Sequence, residues 1–82
     1  MDSNDPRADP VVVDLIELAG LWVAAGEWQA LGRTLERLDE QLTRRFAADE
    51  GFARRFRELN RLASGGGSPE EIRRTYRRAV VG

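Results

Sequence analysis

The sequence predicts an all-α protein: a small bundle of three to four mostly antiparallel helices, with the last helix on a glycine-rich connector. Three observations favour this fold class. Apolar residues recur every three or four positions from Trp28 to Phe46, as they do along one face of an amphipathic helix. Residue pairs typical of helix starts stand at Asp9-Pro10 and at Ser68-Pro69. Glycines, which often end helices, follow two of the apolar segments.

The length of 82 residues leaves room for one domain with a single core. We expect residues 1–8, which are polar and acidic, to form a disordered leader that buries nothing. Residues 9–82 are expected to form one helical domain. Its helices are predicted at about 10–25, 27–48, 50–63 and 69–81.

The first helix begins where Asp9 can cap the free amides and Pro10 takes the first helical position. Between Pro10 and Ala25 only Asp14 and Glu17 are charged, so almost the whole remaining circumference is apolar. Such a helix is either the buried centre of a bundle or one half of an interface.

The second helix follows directly, because Gly26 favours the left-handed conformation that ends a helix and Glu27 opens the next one. The two helices should form a tight hairpin. Arginines and glutamates fill the opposite face of the second helix, and pairs of this kind contribute only a few tenths of a kcal/mol when exposed. Its apolar face consists of Trp28, Leu31, Leu35, Leu38, Leu42 and Phe46.

A third helix is predicted to start at Asp49, which can cap it. The alternative is that the second helix continues through this point with a kink at Gly51, and we favour the break. The apolar side of the third helix carries Phe52, Phe56, Leu59 and Leu62.

The fourth helix starts with a complete capping box, in which Ser68 is the cap, Pro69 the first position and Glu71 the reciprocal partner. It carries one apolar stripe and should dock onto another surface. Because residues 65–67 are all glycine, that surface can belong to the same chain or to a second one.

The core is predicted from the apolar stripes of the first three helices. Its members are Leu15, Leu18, Trp22, Leu31, Leu35, Leu38, Leu42, Phe52, Phe56 and Leu59.

Composition argues against an enzyme. The chain has no cysteine and no histidine, which removes thiolate chemistry, the commonest metal ligands and the side chain that titrates near neutral pH. All thirteen basic residues are arginine, so lysine Schiff-base chemistry is excluded as well. We therefore predict no catalytic residue, no metal and no cofactor.

The apolar segments also argue against a membrane protein. No basic region followed by an apolar stretch opens the sequence, and the longest apolar segment, from Leu18 to Ala25, is too short to span a bilayer. We expect a protein of the cytoplasm that does not bind membranes.

The net charge of −1 conceals two oppositely charged parts. Residues 1–32 hold six acidic residues and one arginine, whereas residues 51–82 hold eight arginines and three acidic residues. This asymmetry favours head-to-tail self-association or docking of a charged partner, although the two parts can also neutralise each other within one bundle.

The leading functional prediction is a non-enzymatic protein-protein interaction module, meaning an adaptor or a small accessory subunit of a larger complex or homo-oligomer. Its partner is expected to be another protein or a second copy of the chain. The residues proposed to bind it are Trp22, Trp28, Ile72, Tyr76 and Val80.

The alternative prediction is a small nucleic-acid-binding protein that uses arginines of the third and fourth helices. Acidic residues lie at salt-bridge spacing from several of these arginines and the pI is about 5.4, so this function ranks second. The candidate anion-binding residues are Arg54, Arg57, Arg61, Arg73, Arg74, Arg77 and Arg78.

Overall fold

The computed structural model describes residues 5–81, which form a bundle of four helices preceded by a 3₁₀ turn at Pro6–Ala8. No strand occurs within this range, so the predicted all-α class is confirmed. The helices are α1 (Pro10–Ala25), α2 (Trp28–Arg45), α3 (Glu50–Ser64) and α4 (Pro69–Val81).

Consecutive helices run antiparallel. At the start of α1, the carboxylate of Asp9 accepts a hydrogen bond from Arg45 at the end of α2, at 2.6 Å. At the other end of the bundle, Gly32 near the start of α2 lies beside Asn60 in the last turns of α3. Both α1 and α3 pack against α2 and α4, so α4 closes the bundle within the same chain. The bundle measures 41 × 20 × 19 Å.

The predicted helix boundaries with local signals are confirmed. An Asp9 side-chain oxygen accepts the amide hydrogen of Val12 at 3.1 Å. Gly26 ends α1 with a φ of 72°, in the left-handed region that glycine adopts without strain. In the capping box, Glu71 donates its backbone amide to the hydroxyl of Ser68 at 3.1 Å, and its carboxylate accepts the amide of Ser68 at 3.2 Å.

The helices α2 and α3 are separate, and α2 ends earlier than predicted, at Arg45. Phe46, the residue after α2, has a non-helical backbone conformation, and its side chain is buried in the core. Asp49 occupies the cap position of α3, but its side chain makes no capping hydrogen bond. Its backbone carbonyl accepts the amides of Phe52 and Ala53 instead.

The core confirms the predicted buried faces of α2 and α3 and corrects that of α1. Leu18, predicted in the core, is 37% exposed. The side of α1 that faces the bundle carries the buried Val12, Ala19 and Val23 instead, and Leu15 and Trp22 pack at its margin. Because α1 is apolar on nearly all sides, its rotation depends on which face fits α2 and α4.

The N-terminal 3₁₀ turn differs from the expected leader. Pro6 is buried, and the amide of Arg7 donates to the carboxylate of Asp5 at 3.0 Å. The guanidinium of Arg7 also lies 4.9 Å from the centre of the Phe52 ring. The expectation that residues 1–8 bury nothing is therefore wrong at Pro6, whereas Arg7 and Ala8 are exposed; residues 1–4 and residue 82 lie outside the described part of the chain.

Candidate interaction surfaces

The outward side of α1 is apolar over much of its length. Leu21 is 64% exposed, and Val11 and Leu18 are exposed on the same side of the helix. Two carboxylates, Asp14 and Glu17, lie among them in the first half of the helix. We call this surface the α1 face; it comprises Val11, Asp14, Glu17, Leu18, Leu21, Ala24 and Ala25.

The end of α4 extends this apolar surface. Val81 is 81% exposed, and Val80 next to it is exposed as well. A groove of about 430 Å³ separates α4 from α1. We call it the α1–α4 groove; it is lined by Gly20, Val23, Ala24, Arg73, Tyr76, Arg77, Val80 and Val81.

Tyr76 sets the distance between the two helices at this groove. Its hydroxyl donates a hydrogen bond to the backbone carbonyl of Ile16 at 2.9 Å. A Cβ at Gly20 would lie 2.5 Å from the hydroxyl oxygen, so only glycine leaves this approach open. Burial raises the pKa of the Tyr76 phenol, and the nearby carboxylate of Glu17 raises this pKa further.

A second groove, of about 600 Å³, is rich in arginine. Four arginine side chains line it, and among residues 5–81 no carboxylate lies within 4.0 Å of any of their guanidiniums. The side chain of Arg77 borders both this groove and the α1–α4 groove. We call the second one the arginine groove; it is lined by Arg55, Arg74, Arg77, Arg78 and Val81.

The structure divides the predicted anion-binding arginines into two groups. Arg57 donates to Asp39 of α2 at 2.7 Å, and Arg61 donates to Glu58 one turn earlier at 2.6 Å. These two guanidiniums are already compensated by carboxylates. The other five predicted anion-binding arginines have no carboxylate within 4.0 Å among residues 5–81, and neither has Arg55; the five are Arg54, Arg73, Arg74, Arg77 and Arg78.

Most of the predicted partner-binding residues make contacts inside the bundle. The indole nitrogen of Trp22 donates to the buried hydroxyl of Thr34 at 2.9 Å, and Trp28 packs partly buried against the core. Ile72 is only 1% exposed. Tyr76 donates a hydrogen bond to α1, and of the five residues only Val80 is exposed, by 41%.

Sequence reasoning missed the apolar residues that are most exposed, among them Leu21 and Val81. The signal was present, because a helix that is apolar on nearly all sides must expose some apolar residues unless it is fully enclosed. Which ones it exposes depends on the rotation of the helix.

The described residues offer no ready site for catalytic metal chemistry. Within residues 5–81 no three or more Asp, Glu, His or Cys side chains come together as a metal site would require. No buried side-chain nitrogen or oxygen of this part of the chain lacks a hydrogen-bond partner.

No helix within residues 5–81 combines the length and the apolar character needed to cross a membrane.

Comparisons with models of known protein families, with curated proteins and with solved structures gave no match. The fold and its surfaces define a four-helix bundle that presents an aliphatic helix face beside arginines with no carboxylate within 4.0 Å among residues 5–81.

Proposed function

We propose that this chain is a non-enzymatic interaction module that binds a protein partner through the α1 face, as an adaptor or as a small accessory subunit of a larger assembly. The observation that carries the proposal is the exposure of Leu21, Leu18 and Val11 on one side of α1. Aliphatic residues exposed together in this way are typical of interaction sites.

The energetics favour burial of this surface by a partner. Covering a largely exposed leucine such as Leu21 contributes on the order of 1–2 kcal/mol. Several aliphatic side chains on α1 and at the end of α4 would be covered together. The adjacent Arg73 and Arg77 add charge that selects partners with carboxylates at the matching positions.

The experiment compares partner binding by the wild-type chain and by a Leu21→Arg variant, with Gln29→Arg as the matched control on an exposed position of α2. Affinity purification from the native host, followed by quantitative mass spectrometry, measures which proteins are retained in stoichiometric amount. Light scattering of the purified chain measures self-association in parallel.

We expect the wild type and the Gln29→Arg control to retain the same partner or to self-associate, and Leu21→Arg to do neither while keeping its helical circular dichroism. Equal retention by Leu21→Arg would refute a role of the α1 face. Absence of any heterologous partner and of self-association would refute the interaction module itself.

A second candidate function is nucleic-acid binding, supported by the arginine groove. Four arginines of α3 and α4 line one depression, and their guanidiniums have no carboxylate within 4.0 Å in residues 5–81. Such a group of arginines suits phosphate oxygens. Under this hypothesis, affinity for a labelled oligonucleotide falls steeply as salt increases. A double variant that carries Arg74→Ala and Arg78→Ala should lose this affinity. Arg33→Ala with Arg37→Ala on α2 is the control of equal charge.

A further inference from the structure

We infer that the partner on the α1 face is a second copy of this chain, bound as a symmetric dimer in which the two α1 helices pair antiparallel. The inference rests on the proposed function of that face and specifies its occupant. It follows from how apolar and charged residues are ordered along the face.

The apolar centre of the face is self-complementary. Leu18 and Leu21 are three residues apart, so their side chains lie on the same side of α1, about 4.5 Å apart along the helix axis. A two-fold axis perpendicular to α1 and passing between them places Leu18 of one copy against the partner's Leu21. The same contact is repeated on the other side of the axis, because a two-fold interface uses the same patch twice.

The acidic half of the face then meets an uncharged or basic surface. With the axis between positions 18 and 21, Asp14 lies opposite position 25, which is the small and exposed Ala25 of the partner. This leaves space for the carboxylate of Asp14 to stay hydrated. The pairing therefore avoids burying an unpaired charge, which is the usual obstacle to covering a face that contains acids.

Glu17 meets arginines by the same geometry. It is seven residues from Ala24, so both lie on the edge of the face that borders α4. The two-fold axis lies in the plane between the two helices. The edge of one copy that borders α4 therefore lies opposite the edge of the partner that borders the partner's own α4. Glu17 then reaches the level of position 22 in the partner, between Gly20 and Ala24, and both of these residues line the α1–α4 groove.

That groove supplies the opposite charges. Arg73 and Arg77 line it together with Gly20 and Ala24, and no carboxylate among residues 5–81 lies within 4.0 Å of either guanidinium. In the dimer, Glu17 of each copy pairs with the partner's Arg73 and the partner's Arg77. A polyanion on the same face would instead meet the carboxylates of Asp14 and Glu17, so charge favours a second copy.

The test is a charge-reversal cycle measured by sedimentation velocity over a concentration series. Glu17→Arg places like charges at both symmetric contacts, and so does Arg73→Glu with Arg77→Glu. The variant that combines all three changes restores opposite charges. The matched controls on α2 are Glu36→Arg and Arg33→Glu with Arg37→Glu, which change the same charges at exposed positions without salt-bridge partners in residues 5–81.

We expect the wild type and the α2 controls to dimerise. Each reversal on α1 or α4 should raise the dissociation constant of the dimer by at least about tenfold, since it acts on both sides of the two-fold axis. The combined variant should recover most of the dimer. Circular dichroism of every variant should show that the monomer remains folded.

A wild-type chain that stays monomeric up to about 1 mM overturns the dimer. A dimer that the reversals weaken but the combined variant does not restore overturns the pairing of Glu17 with the two arginines. If the wild type is monomeric while Leu21→Arg abolishes binding of a different protein, the inferred second copy is wrong and the proposed function stands.

Discussion

The hydroxyl of Tyr76 donates a hydrogen bond to the carbonyl of Ile16 across the space left by the missing side chain at Gly20, with an oxygen-oxygen distance of 2.9 Å. A Cβ at position 20 would lie 2.5 Å from the hydroxyl oxygen and 3.1 Å from the ring carbon that bears it. Tyr76 and Gly20 together allow α4 to lie close against α1 at the α1–α4 groove. The geometry of that groove therefore depends on one tyrosine and one glycine.

The substitution Gly20→Ala should destabilise the bundle by about 1 kcal/mol. Alanine is favoured over glycine in a helix by about 1 kcal/mol, but displacing the Tyr76 ring and its hydrogen bond costs about 1–3 kcal/mol. In a Tyr76→Leu background the clash is absent, so Gly20→Ala should there become neutral or stabilising. Urea unfolding of the four proteins measures this coupling, and an equal effect in both backgrounds would contradict it.

Alkaline pH should weaken the fold through Tyr76. Burial, followed by the carboxylate of Glu17, raises the phenol pKa in the folded chain above the unfolded value of about 10. The stabilising contribution is therefore complete below about pH 10 and is lost as pH rises through the higher folded pKa.

This pH dependence is readily measured, because the chain has one tyrosine and no lysine, histidine or cysteine. Absorbance of the tyrosinate follows the titration directly, and urea unfolding between pH 8 and about pH 11 follows the free energy. The Tyr76→Phe variant should lose the alkaline decrease. A wild-type phenol that titrates at the unfolded value would show that the hydroxyl is not buried against α1.

Acid pH should act at Asp9, which caps the start of α1. The hydrogen bond from Arg45, followed by the amide of Val12, lowers the carboxyl pKa below its usual value. The stability that Asp9 contributes is present above the unfolded pKa of about 3.9 and is lost as pH falls through the lower folded pKa.

We expect Asp9→Asn, which still accepts the amide of Val12 but carries no charge, to lower the melting temperature at neutral pH. Its melting temperature should also fall less than that of the wild type between pH 5 and about pH 2. Asp14→Asn on the exposed face of α1 is the control and should keep the acid sensitivity of the wild type. If Asp14→Asn lost the acid sensitivity and Asp9→Asn kept it, the prediction for Asp9 would be wrong.

Truncation of leucines should distinguish the core from the exposed face of α1. Leu38 is fully buried, so Leu38→Ala should cost about 2–5 kcal/mol. Leu21 is mostly exposed, so Leu21→Ala should change the stability of the dilute monomer by less than about 1 kcal/mol. Urea unfolding at low protein concentration measures both. A large cost for Leu21→Ala would mean that the side of α1 carrying Leu21 faces the core.

The sequence alone determined the helices and two of their buried faces. Local chemistry explains this success, since the amide bonds accepted by Asp9, the left-handed Gly26 and the reciprocal bonds of Ser68 and Glu71 involve only neighbours in the chain. The faces of α2 and α3 were also predictable, because charged residues on one side leave a single apolar side to bury. Leu31 and Phe56 are accordingly in the core.

The tertiary structure decided the rotation of α1, the docking of α4 within the chain and the sorting of the arginines. A helix that is apolar on nearly all sides buries whichever face packs best, so exposure of Leu21 is a property of the assembled bundle. A flexible three-glycine connector does not fix the position of α4, which is set by the contacts of Ile72 and Tyr76 with the rest of the bundle. Arg57 is paired because Asp39 of another helix lies 2.7 Å away, whereas Arg77 has no such neighbour among the described residues. Contacts between residues distant in the chain decide all three, because spacing along one helix does not specify what lies across from it.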